Sequence, residues 1–259
     1  MALIILASLA LIVRARKDVA LPRLSRTEII HQKVEDTKNM AVEDVSKREP
    51  SSASSDAKAL ADKEASAWQS QPEKILIDVP FTSQAPFGKW DAYHEEACEE
   101  ASLLMVAYFA QSKKLTPAIA EKEIQALIAY EIKNTEGYED STAVQTAKLG
   151  RDYYGLKNLR VVYDFTTKDL KEYLAKGKPI IIPVAGRLLG NPNFTAPGPL
   201  YHNLVLIGYD GNTIITNDPG TRNGQGYRYQ IKTIYNAIHD FSGDKNKIET
   251  GQKAMIVVE

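Results

Sequence analysis

The sequence predicts an α+β fold, because three helical segments come before most of the segments that resemble strands. Segment 97–110 consists of helix formers and spaces its apolar residues as one helix face does. Segment 117–132 has Pro117 at a starting position, and segment 142–154 is followed by Gly155, a residue type that commonly ends helices. Two shorter helices are predicted at 168–176 and 234–241.

The remaining pattern predicts an antiparallel sheet. Segments with the composition of strands occur at 75–79, 160–163, 179–184, 201–209, 213–217, 226–231 and 254–258. Gly211 and Asn212 separate the fourth segment from the fifth, and a connection of this kind forms a tight hairpin. We therefore expect these two strands to be antiparallel neighbours in the sheet.

Composition divides the chain into three parts. Residues 1–17 contain an apolar run at 2–13, which at about 1.5 Å per residue reaches roughly 18 Å, short of a ~30 Å hydrocarbon core. We interpret residues 1–17 as a signal or membrane anchor, the alternative being a buried apolar helix. Residues 18–73 predict a polar linker or stalk, and residues 74–259 predict the globular domain. The expected location is membrane-associated or extracytoplasmic, with the cytoplasm as the alternative.

Charge and cysteine content exclude several classes of function. The chain has 32 Lys and Arg against 33 Asp and Glu, without the basic patch that is typical of nucleic-acid-binding proteins. Its one cysteine cannot form an intrachain disulfide or a Cys-rich zinc site, and its four histidines lack metal-ligand spacing. We therefore expect no nucleic-acid partner, no metal and no other cofactor.

Cys98 is the candidate nucleophile. It lies in the first turn of the predicted helix 97–110, where the positive end of the helix dipole lowers the pKa of a thiol. Four nearby glutamates have the opposite effect on this pKa, namely Glu95, Glu96, Glu99 and Glu100. A facing imidazolium would favour the thiolate by forming an ion pair with it. The alternative is an inert cysteine on a helix face.

His202 and Asp218 are the candidates for the general base and for the acid that orients it. His202 precedes an apolar strand, and the usual imidazole pKa of about 6.5 suits proton transfer. Asp218 lies at the end of the strand that the hairpin folds back beside His202, so its carboxylate could fix the tautomer of the ring. The alternative is an aspartate that forms a turn in Asn-Asp-Pro-Gly.

Gln84 is the candidate oxyanion-hole residue, since its amide could donate to an oxyanion together with the Cys98 backbone N–H. A solvated loop glutamine is the alternative. His94 is a reserve candidate as a substrate contact or a second base. The weaker candidates are His31, in the polar stalk, and His239, late in a short helix.

Five motifs, in this order, resemble the bacterial peptidase domains that are related to family 39 cysteine peptidases. They are 79–86 (VPFTSQAP), 90–91 (WD), 97–102 (ACEEAS), 201–209 (YHNLVLIGY) and 217–220 (NDPG). The resemblance covers about residues 75–258 and implies a papain-like fold, with a helical half packed on an antiparallel sheet. It also implies a peptide or protein substrate, Gln84 as the oxyanion-hole residue, Cys98 as the nucleophile, His202 as the base and then the acid, and Asp218 as the orienting residue.

The sequence departs from this family pattern in its substrate context and around the nucleophile. The best-known relatives cleave leader peptides after a double glycine and are fused to an ABC transporter, which does not follow here, so we do not transfer that substrate. The spacing from Gln84 to Cys98 is longer than in papain, and Cys-Glu-Glu replaces the Cys-Gly of many relatives.

The expected function is therefore hydrolysis of a peptide or amide bond through a Cys98 thioester. Two rival functions are a module that binds peptides or cell-wall fragments without turnover, and acyl transfer on the same fold. The Pro- and Gly-rich loop 186–199 is expected to border the cleft beside His202 and to gate the substrate.

Overall fold

Strand β4 (Tyr201–Asp210) runs through the middle of the fold in the computed structural model, which describes residues 72–135 and 137–258. Every residue of β4 except Asp210 is buried. Helices α2 (Cys98–Ala110) and α5 (Thr167–Ala175) both pack against it. A long strand that is buried along its whole length provides a rigid support for the side chains at its first residues.

Within the described residues, seven strands form one antiparallel sheet. Besides β4, they are β1 (Lys74–Leu76), β2 (Leu159–Tyr163), β3 (Ile180–Ala185), β5 (Thr213–Asn217), β6 (Gln225–Gln230) and β7 (Ala254–Val258). The order is β2–β7–β3–β4–β5–β6, and β1 pairs with β4 beside this path. Gly211 and Asn212 join β4 to β5 in the predicted hairpin, with Asp210 opposite Thr213.

Besides α2 and α5, the described helices are α1 (Ala92–Glu95), α3 (Pro117–Asn134), α4 (Ala143–Tyr154), α6 (Ile231–Ala237) and the 3-10 helices Gly186–Leu189 and Lys245–Thr250. The three long helices begin and end close to the predicted positions, because the capping residues in the sequence are used. Thr116 accepts a hydrogen bond at the start of α3, Thr142 forms a capping box with Gln145 at the start of α4, and Gly155 ends α4 at φ 70°.

Two local predictions differ from the structure, and one short helix was not predicted. Strand β1 ends at Leu76 instead of residue 79, since the chain turns where the Val79 N–H donates to the Ile77 carbonyl. The helix predicted at 234–241 lies at Ile231–Ala237, because Ile238 already forms a bridge to β3. Helix α1 was not predicted, although Asp91 is a typical N-cap and accepts from two backbone N–H groups.

Helix α2 lies between two apolar layers. Residues such as Leu103 and Val106 join the core formed with the sheet, whereas Leu104 and Tyr108 join a second cluster with α3. A helix enclosed in this way is apolar around its whole circumference. Packing on both sides fixes the position of its first residue, Cys98, relative to β4.

These elements give the α+β architecture that the sequence predicts, with a helical half packed on an antiparallel sheet. In the ranges that the structure describes, no helix is both long and apolar enough to cross a membrane. The predicted signal or anchor at 1–17 and all of the predicted linker except its last two residues lie outside those ranges.

Candidate active site

Cys98 is the first residue of α2 and is buried. Its Sγ atom donates a hydrogen bond to Oε2 of Glu99, 2.9 Å away. The thiol pKa is raised well above its usual value by burial first, then by the charge and hydrogen bond of Glu99 and the charge of Glu100, while the Asn203 backbone N–H acts in the opposite direction. Burial is therefore the main cause of the raised thiol pKa, and Glu99 and Glu100 add to it.

Two of the four glutamates are themselves buried deeply enough to resist ionisation. Burial raises the pKa of Glu99 to about 8. It also raises the pKa of Glu100 well above its usual value, and the charge of Glu131 on α3 adds to this effect. The negative charge beside the thiol is therefore smaller near neutral pH than a count of carboxyl groups indicates.

His202 and Asp218 lie in direct contact. His202 is the second residue of β4, and its Nε2 atom is 2.7 Å from Oδ1 of Asp218, which follows the last residue of β5. Because Nε2 is engaged with the carboxylate, Nδ1 is the ring nitrogen that is left for exchange with a thiol. The pairing of β4 with β5 creates this contact.

Asp218 is held as a carboxylate by a set of donors. Tyr229 donates to Oδ2 at 2.8 Å, Asn191 donates to Oδ2 at 3.3 Å, and the Gly220 backbone N–H donates to Oδ1 at 3.0 Å. Burial favours the protonated form, but the charge and hydrogen bond of His202 and the bonds from Tyr229 and Gly220 hold the Asp218 pKa below its usual value. Asp218 is therefore suited to stabilise a protonated His202.

The residues Tyr229 and Asn191 were not singled out by the sequence. Tyr229 lies on β6 opposite Ile214, near the start of β5, so the strand register alone does not place its hydroxyl beside Asp218. Asn191 lies in the loop 186–199, and its local sequence does not indicate a role in the site. This loop supports Asp218, and four of its residues line the cleft, namely Asn193, Phe194, Thr195 and Pro199.

Gln84 is buried in the loop before α1 and also lines the cleft. Its Nε2 atom donates to the carbonyl oxygens of His94 and Glu95, at 2.8 and 3.1 Å, while its Oε1 atom is buried without a partner among the described residues. Both amide hydrogens of Gln84 therefore bond to backbone carbonyls in the segment that leads into α2. The predicted oxyanion contact requires the amide to release one of these carbonyls.

His94 is held between two carboxylates. Its Nδ1 atom lies 2.8 Å from Oδ1 of Asp91, and its Nε2 atom lies 3.1 Å from Oε2 of Glu121. Both ring nitrogens are therefore engaged, which leaves His94 without a free nitrogen for base chemistry. His239 contacts the Gly251 carbonyl through Nδ1, and His31 lies outside the described residues.

Cys98, His202 and Gln84 line one cleft of about 1060 Å³. Phe194 stands edge-on to the His202 ring at a centroid distance of 5.4 Å, and the exposed rings of Phe87 and Trp90 extend the apolar wall. Polar and apolar surface line the cleft in similar amounts, so it offers both hydrogen-bonding and apolar contacts to an extended polypeptide or another organic ligand. In the described part of the chain, no three His, Cys, Asp or Glu side chains are grouped as metal ligands.

Comparison with known proteins relates this chain to one family. The family model described as Peptidase_C39 like family matches residues 76–243, a segment that contains Gln84, Cys98, His202 and Asp218. No curated protein matches the sequence.

Two solved structures are similar at low identity. A protein described as a C39-like peptidase from Bacillus anthracis is 18% identical, with a TM-score of 0.48, over 73% of this chain and 98% of its own. A fragment of prointerpain A from Prevotella intermedia is 12% identical, with a TM-score of 0.43, over 77% of this chain and 79% of its own.

Proposed function

Because this chain belongs to the Peptidase_C39 like family, we propose that it is a cysteine peptidase or amidase acting on a peptide or protein substrate. The contact that best supports this proposal is the 2.7 Å hydrogen bond between His202 and Asp218, in a cleft that also contains Cys98. It fixes the imidazole by one nitrogen and leaves the other for the thiol. This is the arrangement that nucleophilic catalysis by a thiol requires.

In the first half of the proposed reaction, the Cys98 thiol transfers its proton to Nδ1 of His202, and the sulfur attacks the carbonyl carbon of the substrate. The tetrahedral intermediate collapses when the C–N bond breaks and His202 returns the proton to the leaving amine. Asp218 stabilises the imidazolium that forms between these two transfers. The product of this half is an acyl thioester on Cys98.

In the second half, His202 takes a proton from water, and the resulting hydroxide attacks the thioester. The C–S bond breaks, the acid product leaves, and the proton on His202 returns to the sulfur. The oxyanion of each tetrahedral intermediate is proposed to bind the Cys98 backbone N–H, which as the first amide of a helix has no acceptor within that helix, and the amide of Gln84.

The proposal is tested by exposing the full chain and its Cys98→Ala and His202→Ala variants to a peptide library and identifying the cleaved bonds by mass spectrometry. Cleavage by the wild type that disappears in both variants supports it. Cleavage that persists in Cys98→Ala would assign the activity to another group, and the absence of cleavage in all three would contradict turnover.

A second function, binding without turnover, is favoured by one specific observation. The Cys98 thiol donates to Glu99, and both Gln84 amide hydrogens are engaged with backbone carbonyls. This arrangement is less prepared for attack than a thiolate and an open oxyanion hole would be. Binding of a peptide that the wild type and Cys98→Ala retain equally, with no cleaved or acyl-transferred product, would identify a binding module.

Acyl transfer on the same residues is distinguished by its product. If an added amine is recovered as the acylated product at the expense of the free acid, the thioester is resolved by aminolysis instead of hydrolysis.

We also propose that residues 1–17 attach the protein to a membrane or direct it across one, on the basis of their apolar run. Fractionation of cells that produce the full chain, compared with a chain that lacks residues 1–17, tests this. Equal recovery of both chains in the soluble cytoplasmic fraction would exclude it.

A further inference from the structure

The Glu99 side chain contacts the reacting atom of the proposed nucleophile. Its Oε2 atom accepts the hydrogen bond from Cys98 Sγ at 2.9 Å, and its Oε1 atom accepts from the Ser141 backbone N–H at 2.8 Å. Glu99 is only 2% exposed, so water does not compete for these bonds. One oxygen of the carboxyl is thus fixed by the backbone, and the other contacts the thiol.

The groups around this pair make ionisation of both members costly. Glu100 lies on the same helix, Asp140 precedes α4, and Tyr201 lies on β4, and each interacts electrostatically with Glu99. Lys245 is bound to Asp140 at 3.1 Å and to Glu96 at 3.5 Å, so its charge offsets those two carboxylates. A thiolate and a carboxylate in contact here would repel each other in a buried site.

We propose that the Cys98 thiol and the Glu99 carboxyl share one proton and titrate as a pair, which makes Glu99 a catalytic residue that controls formation of the thiolate. When the proton leaves Sγ for Oε2, its bonding electrons stay on sulfur, and the neutral carboxyl donates a hydrogen bond to the thiolate. When the proton is on sulfur and Glu99 is ionised, the carboxylate accepts a hydrogen bond from the thiol and keeps it unreactive. This inference uses the proposed function only in taking Cys98 as the nucleophile.

The pKa shifts agree with shared titration. Burial raises the pKa of Glu99 to about 8, and burial together with Glu99 raises that of Cys98 well above its usual value. Groups that interact this strongly lose their protons in two steps that belong to the pair and not to either residue. A glutamate with only a structural role, accepting from Ser141, would leave a single ionisation at Cys98.

Glu99→Gln separates these two roles. The glutamine side chain keeps an oxygen for the Ser141 N–H and an amide that can face the sulfur, but it cannot take or release a proton near neutral pH. The control variant is Glu123→Gln, which removes one partly buried carboxyl on α3 that bonds to Tyr154 instead of to the thiol. Both variants replace one carboxyl group by an amide of nearly the same size.

The measurement is the rate of iodoacetamide alkylation of the full chain as a function of pH, in the His202→Ala background. Because the chain has one cysteine, every alkylated thiol is Cys98. We expect two steps with Glu99 present and one step in Glu99→Gln. We also expect the pH of half-maximal rate to fall by at least about one unit, which means roughly a tenfold faster reaction below that pH.

A profile of Glu99→Gln that superimposes on that of its parent, or one that shifts no more than Glu123→Gln does, would overturn the proposal. If Glu99→Gln does not fold, as judged by circular dichroism, the parent chain still tests the idea. A single ionisation near the ordinary cysteine value of about 8.5 would then refute it. Alkylation needs no turnover, so a protein that shows the paired titration but cleaves no peptide would contradict the proposed function alone.

Discussion

Nε2 of His202 and Oδ1 of Asp218 are 2.7 Å apart, and both side chains are almost completely excluded from solvent. A hydrogen bond between a potential imidazolium and a carboxylate is strong in such surroundings. Because it occupies Nε2, it also determines which nitrogen is available to Cys98. The proposed chemistry therefore depends on Asp218 as much as on the base itself.

Asp218→Asn should reduce turnover by on the order of 10²- to 10⁴-fold, because asparagine cannot stabilise the imidazolium and its amide can favour the wrong ring tautomer. The measurement is kcat/KM for the substrate identified by the peptide library. Asp210→Asn, at the exposed end of β4, is the control. Equal losses in the two variants would show that Asp218 does not act through His202.

Tyr229→Phe should lower the free energy of unfolding by about 1 to 3 kcal/mol, because the buried Asp218 carboxylate loses the hydrogen bond from the Tyr229 hydroxyl. The hydrogen bond from Asn191 to the same carboxylate remains. Urea denaturation at neutral pH measures this difference. The matched control is Tyr227→Phe, on the same strand, whose hydroxyl does not bond to Asp218. A smaller effect for Tyr229→Phe than for Tyr227→Phe would contradict the assigned role.

Gly220→Ala should displace the imidazole. A Cβ atom at this position would lie 2.8 Å from Cε1 and 3.0 Å from Nε2 of His202, and the ring cannot move without lengthening its bond to Asp218. We expect at least about a tenfold loss in kcat, in line with the cost of small displacements of catalytic groups. Steady-state kinetics, with thermal unfolding as a check of folding, measures it. Wild-type kcat in a folded variant would show that the ring has room to move.

Stability should fall as the pH rises from about 4.5 to 7, through the effect of Glu131. Burial raises its pKa from 4.5 to about 7, so the folded chain keeps a proton in this range that the unfolded chain has released. The stabilisation that depends on this proton is complete below pH 4.5 and is lost as the pH passes 7.

Glu131→Gln should flatten that part of the pH profile, with a difference of about 1 to 3 kcal/mol between the ends of the range. Urea denaturation at several pH values measures it, and Glu249→Gln, at an exposed site, is the control. A slope that is unchanged by Glu131→Gln but reduced by Glu249→Gln would refute the assignment.

The sequence by itself determined the main features of the architecture. Helical periodicity and capping residues located α2, α3 and α4, and the Gly211-Asn212 connection identified the hairpin of β4 and β5. These features could be predicted because they depend on interactions between residues that are close in the chain. The hairpin also explains why Asp218 was expected beside His202.

Only the tertiary structure decided the partners of the site residues. Glu99 was expected to act as one of four negative charges, but packing of α2 against β4 buries it and brings its carboxyl to the thiol. The engagement of the Gln84 amide with backbone carbonyls and the support of Asp218 by Asn191 depend likewise on elements that are distant in the sequence. Hydrogen-bond direction and burial arise when separate elements pack together, so local sequence patterns do not contain them.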